Sequence, residues 1–162
     1  MFRLIHERLT ARGIDFHVHF MALSHQHRHH WHDYSRDVPF SHRFWKNIGP
    51  TIKGRKWDFN PGIVAALSKE HSDYLMLGGV WDSLTNLLVS LTAKRTVGIA
   101  WGEGNTYTPG LIKGLPLLIK KYLLNRFDVL AIPGQEGRKY MQLIVGENGH
   151  PQKFATLPNI VD

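Results

Sequence analysis

The chain has 162 residues, of which 43% are hydrophobic and 20% are charged; these values are typical of one globular domain and exclude disordered or collagen-like chains. Lysine and arginine outnumber aspartate and glutamate by 20 to 13, which gives a formal net charge of +7 and favours anionic partners such as phosphorylated ligands, nucleic acids or anionic membrane surfaces. There is no cysteine, so disulfides, thiolate metal sites and cysteine nucleophiles are excluded.

The first third of the sequence predicts a helix, a strand and a polar loop. Phe2, Ile5 and Leu9 recur at helical spacing, and Gly13 follows as a helix-ending residue. Over residues 16–20, apolar residues alternate with histidines, which predicts a strand with two different faces. Residues 24–37 are rich in histidine and arginine and predict a loop, as does the basic segment 53–56, while 38–44 predicts a short strand.

Helices and strands alternate from residue 60 onward. Asn60 and Pro61 are favourable residues for the start of a helix. Buried strands are predicted at 74–77, 96–101 and 129–132, with a short last strand at 153–157. Helices are predicted between them, at 81–91, 111–126 and 136–145, and Pro116 requires the middle one to begin late or to bend.

This alternation predicts an α/β fold, a Rossmann-like parallel sheet with helices on both faces. Ligands of such sheets bind where the strands end, at their carboxyl edge. Because the chain opens with a helix, the strand that normally comes first is expected to be missing. The expected core includes Leu75, Leu77, Ile99, Leu130 and Ile132.

Several short segments resemble a known enzyme family. The segment Trp101-Gly102-Glu103, the run 126–134, Tyr140 and the ending Pro158-Asn159-Ile160-Val161-Asp162 come in a characteristic order. That order resembles the amino-terminal half of group 1 (family four) glycosyltransferases of the GT-B type, which have two Rossmann-like domains. The resemblance covers nearly the whole chain, and its weight lies in order and spacing rather than in one motif.

The resemblance implies a hexosyltransferase that moves a sugar from a nucleotide-sugar donor to an acceptor hydroxyl, with no cofactor and no obligatory metal. Residues 1–157 would form the acceptor-binding domain, and 158–162 the start of the interdomain linker, with Pro158, Asn159 and Asp162 as its marker residues. In the family a second domain supplies most donor contacts, so this chain alone is expected to be inactive. The implied setting is cytoplasmic polysaccharide or glycolipid biosynthesis, with a sugar or lipid-linked acceptor.

The predicted site residues lie mainly in the loops that follow the strands. Glu103 is the candidate catalytic residue, because the resemblance puts a Trp-x-Glu segment in the cleft and a carboxylate can bind acceptor hydroxyls or handle a proton. Trp101 and Asn105 are predicted to bind the acceptor on either side of it. Gly78 and Gly79 either admit a sugar or phosphate to a helix N-terminus or serve only tight strand-to-helix packing.

Two basic segments leave alternatives open. His27 and Arg28 lie in a histidine-rich segment that suits either acceptor recognition or, less specifically, a divalent metal; acceptor recognition is preferred. The segment 112–126 either lies on an anionic membrane surface or packs its leucines on the sheet with Lys120 and Lys121 in water; packing is preferred. Nucleic acid is not an expected partner, because the basic residues are dispersed and no recognition motif is present.

One alternative to the enzyme remains at the level of the sequence. A non-catalytic, flavodoxin-like binding domain, or the remnant of a decayed gene, would show the same alternation of helices and strands. Neither a GxGxxG fingerprint nor a GxxxxGK[ST] loop is present, so a dinucleotide-binding domain or a P-loop ATPase has no support from motifs.

Overall fold

The computed structural model describes residues 2–21, 38–52, 55–102, 104, 113–146 and 153–157. The chain divides into two compact units, residues 1–63 with 160–162 and residues 64–159. The elements in chain order are α1 (Phe2–Thr10), β1 (His17–Phe20), β2 (Ser41–Phe44), β3 (Thr51–Ile52), β4 (Arg55–Lys56), α2 (Pro61–Lys69), β5 (His71–Gly78), α3 (Leu84–Thr92), β6 (Lys94–Trp101), α4 (Gly114–Leu124), β7 (Val129–Ile132), α5 (Gln135–Val145) and β8 (Phe154–Thr156).

The first unit contains the predicted opening helix and strand. Strand β1 pairs in parallel with β2, and the alternation of residues 16–20 is confirmed as that of a strand. The segment 53–56 was predicted as a loop, and this is wrong for Arg55 and Lys56, which form β4 and pair antiparallel with β3. Two-residue strands are too short to show an alternating pattern, so the sequence gives no signal for them.

Asn60 has a larger role than starting a helix. Its carbonyl accepts the backbone N–H of Ile63 at 3.0 Å, as expected at the beginning of α2. Its side-chain amide is buried and donates to the carbonyls of Met21, at 2.9 Å, and Trp45, at 3.2 Å. Because these carbonyls follow β1 and β2, one side chain ties the helix start to the ends of both strands.

The second unit is built on a four-stranded sheet with the order β5-β6-β7-β8, in which every pair is parallel. The predicted α/β class with a parallel sheet is thereby confirmed. Leu77, Ala100 and Leu130 lie side by side across three strands and are all buried. Leu75 and Ile99 are only half-buried, and β5 lies at an edge of the sheet.

Each connection in this sheet joins neighbouring strands through one helix. Helix α4 contacts both α3 and α5. Helix α4 begins at Gly114, so that Pro116 lies in its first turn; the prediction of a late start is confirmed. The helices bury a core against the sheet that includes Leu123, Leu124, Phe127, Met141 and Ile144.

Charged side chains fasten the amino edge of the sheet. Arg126 donates to the carbonyls of Ser90 and Leu91, at 3.2 and 3.1 Å, in the last turn of α3. Asp128 accepts the buried backbone N–H of Gly98 at 2.7 Å. Arg95 donates to the carbonyl of Arg126 at 2.9 Å, and burial, reinforced by the charge of Arg126 and opposed by that of Asp128, lowers the pKa of Arg95.

Candidate functional site

The structure describes three of the residues predicted to form the site, Gly78, Gly79 and Trp101, together with Gly102 and Gly104 on either side of Glu103. They all lie where β5 and β6 end, at the carboxyl edge of the sheet. The remaining predicted residues lie outside the described part of the chain: Glu103, Asn105, His27, Arg28, Pro158, Asn159 and Asp162.

Gly78 and Gly79 form a tight joint between β5 and the start of α3. Gly79 has φ +69°, and a Cβ there would collide with the side chain of Asp82, so the position requires glycine. The side-chain amide of Asn86 donates to both glycine carbonyls, each at 2.7 Å. Ser83 caps α3 by accepting the backbone N–H of Asn86 at 3.0 Å. This geometry supports the packing interpretation of the two glycines.

Trp101 ends β6 directly opposite Gly78 in the parallel register. Its carbonyl accepts the N–H of Gly79 at 3.0 Å, which extends the pairing of β5 and β6 by one bond. Its indole Nε1 is buried and has no hydrogen-bond partner within the described ranges. Buried donors are nearly always paired in folded proteins, and no described residue accepts from this one.

The loop after β6 is fitted closely against α5. A Cβ on Gly102 would meet the terminal methyl of Met141, and a Cβ on Gly104 would come within 2.5–2.7 Å of the ring of Tyr140. The N–H of Gly102 also donates to the carbonyl of Ala131 at 3.1 Å. Glycine at both positions therefore lets the backbone at Gly102 and Gly104 lie against α5.

A lysine held between aromatic rings lies beside this loop. We call Trp81, Lys120 and Tyr140 the Lys120 cluster. The Nζ of Lys120 lies 3.3 Å from the hydroxyl of Tyr140 and donates to it. The same Nζ lies 4.9 Å from the centroid of the Trp81 ring and 5.9 Å from that of Tyr140, within the range of cation–π attraction.

Three different elements bring the Lys120 cluster together. Trp81 follows the Gly78–Gly79 joint, Lys120 lies on α4, and Tyr140 lies on α5 with only 4% of its surface exposed. The sequence prediction that Lys120 and Lys121 both lie in water is wrong for Lys120, which is half-buried, and confirmed for Lys121. The spacing of α4 residues could not show this, because Lys120 is buried by rings from other elements.

Among the described residues, no carboxylate forms an ion pair with the ammonium of the Lys120 cluster. In the described ranges the ion pairs are Arg3 with Glu7 and Lys139 with Glu136, and none involves Lys120. Nor do three histidine or carboxylate side chains, of those described, come close enough together to hold a metal ion. The cluster therefore offers ammonium and hydroxyl donors inside an aromatic frame, which suits a ligand with oxygen acceptors.

The outward side of α4 is apolar. Leu115 and Leu118 are 69% and 63% exposed, and Ile119 and Tyr122 are exposed beside them at helical spacing. The preferred prediction, that this helix packs its leucines on the sheet, is thus wrong for Leu115 and Leu118, whereas Leu123 and Leu124 are buried. Among the described helices none is long and apolar enough to cross a membrane.

No similarity to a known protein assigns a role to these residues. Comparisons with protein-family models, with curated proteins and with solved structures found no match. The described site consists of the carboxyl edge of parallel strands, Gly102 and Gly104 fitted against α5, and an ammonium beside two aromatic rings that pairs with no described carboxylate.

Proposed function

We propose that this chain supplies the acceptor-binding half of a glycosyltransferase, in which a sugar passes from a nucleotide-sugar donor to an acceptor hydroxyl. The Lys120 cluster is the observation that carries the proposal. It lies next to the glycine loop, because Gly104 packs against the ring of Tyr140. An acceptor bound by the cluster would therefore lie close to Gly104, the residue that follows Glu103 in the chain.

The chemistry of the cluster suits an acceptor sugar. Ligand sites are commonly framed by aromatic rings, with a few polar groups that fix the orientation of the ligand. Trp81 supplies an apolar ring, while Lys120 and Tyr140 supply donors for hydroxyl or anionic oxygens. In this proposal Glu103 binds the reacting hydroxyl or takes its proton, and Trp101 lies at the same edge of the sheet.

In this proposal the nucleotide-sugar donor is bound mainly by a second domain. In the resembling enzymes a second Rossmann-like domain holds most of the nucleotide sugar, and positioning and charge stabilisation at the diphosphate carry the reaction. We therefore expect this chain by itself to bind acceptors but not to bind nucleotide sugars tightly. No cofactor enters the proposed reaction.

The exposed side of α4 supports a lipid-linked acceptor at the cytoplasmic face of an anionic membrane. Leu115, Leu118, Ile119 and Tyr122 form an apolar stripe, Lys113 precedes its first turn, and the chain carries a net charge of +7. Helices with an apolar side and nearby basic residues bind in the plane of anionic membranes. The same helix carries Lys120 on its inner side, so membrane contact and acceptor binding would share α4.

The acceptor proposal is tested by glycan binding. The purified chain is applied to an array of neutral, uronic-acid-containing and phosphorylated glycans, and the bound glycans are then titrated by calorimetry. We expect Lys120→Met and Tyr140→Phe to weaken binding about tenfold, since each removes a hydrogen bond to an oxygen, partly charge-assisted. Glu103→Gln should weaken it as well. Lys121→Met and Tyr74→Phe are matched controls on exposed side chains and should leave it unchanged.

The same titrations separate the enzyme from the alternative. UDP-sugars, GDP-sugars and flavin mononucleotide are titrated under identical conditions. Micromolar binding of flavin mononucleotide, with no glycan bound, would replace the proposal by a flavodoxin-like binding domain. Micromolar binding of a nucleotide sugar would contradict the assignment of the donor to a second domain.

Membrane contact is tested by co-sedimentation with vesicles. We expect the chain to sediment with phosphatidylglycerol vesicles and to remain in solution with phosphatidylcholine. The double variant Leu115→Gln/Leu118→Gln should lower the bound fraction about fivefold or more, because the stripe loses two leucine side chains. Leu143→Gln, at an exposed leucine of α5, is the control. Equal loss in both variants would contradict an assignment to α4.

A further inference from the structure

The first unit contains a second group of cationic side chains. Strands β1 and β2 are parallel and in register, so alternate residues share a face. We call one of these faces the histidine–arginine face, formed by His17, His19, Ser41 and Arg43. It does not belong to the Lys120 cluster, and the inference drawn from it does not depend on the proposed glycosyltransferase.

The orientation of this face is fixed by the aromatic packing behind it. On the other side of the two strands, Phe20 stacks on Phe44 with their centroids 4.8 Å apart, and Phe16 meets the buried Phe40 at 5.7 Å. A slip of one residue would move these rings to the opposite face. The aromatic side therefore holds the register, and His17 and Arg43 remain exposed.

The polar side chains are ordered by one another. Nδ1 of His17 lies 2.7 Å from the hydroxyl of Ser41, and the rings of His17 and His19 lie 4.6 Å apart. The guanidinium of Arg43 lies 4.0 Å from the centroid of the Trp45 ring. Stacking of this kind holds the planar guanidinium in place while its N–H groups stay at the periphery of the ring.

The hydrogen bond from Trp45 removes His19 as a metal ligand. The indole Nε1 donates to Nδ1 of His19 at 2.9 Å. Because an indole nitrogen can only donate, Nδ1 accepts, and the proton of a neutral His19 ring lies on Nε2. In this arrangement neither nitrogen of His19 offers a lone pair to a metal ion.

The positive charge of Arg43 favours binding of an anion. No ion pair between described residues involves it, and the described Glu7 is paired with Arg3. A guanidinium presents parallel donors that match two oxygens of a phosphate or carboxylate. His17 adds a donor at Nε2 when its Nδ1 accepts the Ser41 hydroxyl proton. The guanidinium and the His17 ring together offer three donors, and a phosphate group carries enough acceptor oxygens on one atom to meet all three.

We propose that the histidine–arginine face is a binding site for a phosphate group, held by the guanidinium of Arg43 and the imidazole of His17. The phosphate is either part of a soluble phosphorylated ligand or the headgroup of a phospholipid. Both present the same oxygens to the site.

The test follows the imidazole signals of His17 and His19 by NMR while inorganic phosphate is added, with sodium chloride at equal ionic strength as the reference. We expect saturable shifts of His17. Arg43→Met should weaken phosphate binding about tenfold or more, since a bidentate charge-assisted pair is lost. Arg43→Lys, which keeps the charge but loses the fork, should give an intermediate loss. Arg8→Met, at an exposed arginine of α1, should stay within about twofold.

A vesicle arm identifies the source of the phosphate. Phosphatidic acid in phosphatidylcholine is compared with phosphatidylcholine alone for the same variants. Vesicle binding that depends on Arg43, without binding of dissolved phosphate, points to a lipid headgroup; binding of dissolved phosphate points to a soluble ligand. Equal losses in Arg43→Met and Arg8→Met, or shifts of His17 with zinc chloride and none with either form of phosphate, would overturn the proposal.

Discussion

The two edges of the four-stranded sheet use charge in opposite ways. At the amino edge, Arg126 and Asp128 are bound to backbone groups of neighbouring elements. At the carboxyl edge, the ammonium of Lys120 lies between rings and meets one hydroxyl. The first arrangement leaves little for a ligand, whereas the second offers donors that the fold itself does not consume.

The difference suggests a division of labour within one sheet. Bonds between side chains and buried backbone groups are costly to lose, because the backbone group cannot find another partner. A cation on a partly exposed side chain contributes little to stability, because water solvates its charge. The amino edge should therefore govern stability and the carboxyl edge binding, and four substitutions test this.

Asp128→Ala should have the largest effect on stability. The buried N–H of Gly98 would lose its acceptor, and we expect the free energy of unfolding to fall by about 2 kcal/mol. Urea denaturation followed by circular dichroism measures it. Asp128→Asn keeps an acceptor oxygen and serves as the control with a smaller loss. If Asp128→Ala changes the free energy of unfolding by less than about 0.5 kcal/mol, the idea that the amino edge governs stability is contradicted.

Gly104→Ala tests the packing that the carboxyl edge does need. The new Cβ would meet the buried ring of Tyr140, and we expect a loss of about 1.5 kcal/mol from overpacking. Gly102→Ala is the matched variant, and its loss should be smaller because the methyl of Met141 can turn aside. Thermal unfolding of both proteins gives the order, and a reversed order would contradict the close fit of the loop against Tyr140.

Arg126→Met should lower the free energy of unfolding by about 1 kcal/mol. Its two bonds to the last carbonyls of α3 would be lost, but these carbonyls lie at a helix end where water can replace the donor. Lys121→Met, an exposed cation on α4, controls for the change in net charge. Equal midpoints of urea denaturation for the two variants would show that the bonds of Arg126 add nothing.

Lys120→Met should have the smallest effect on stability and a large one on binding. We expect the free energy of unfolding to change by less than about 0.5 kcal/mol, since methionine fills a similar space between the rings. Calorimetric unfolding and glycan titration on the same sample measure both effects. A loss of stability above about 1.5 kcal/mol, with binding unchanged, would make the Lys120 cluster a structural feature like the amino edge.

Most elements of the fold followed from local patterns. The strand 129–132 was predicted to the residue, and Pro116 correctly indicated the late start of α4. The hairpin of β3 and β4 was missed, because two residues carry no period. For α4 the preferred prediction, packing of the leucines on the sheet, was wrong at Leu118: Leu118 and Leu123 are the same residue type, and only the packing of the helix determines which is buried.

The sequence by itself determined the class of the fold, because hydrophobic periodicity and turn residues act over a few neighbouring positions. It also indicated the carboxyl edge as the place of the site, since Gly78 and Trp101 end their strands. Only the tertiary structure decided that Trp81, Lys120 and Tyr140 meet there. Their contact depends on how three helical connections pack across one sheet, and that packing is a property of distant segments that no local pattern encodes.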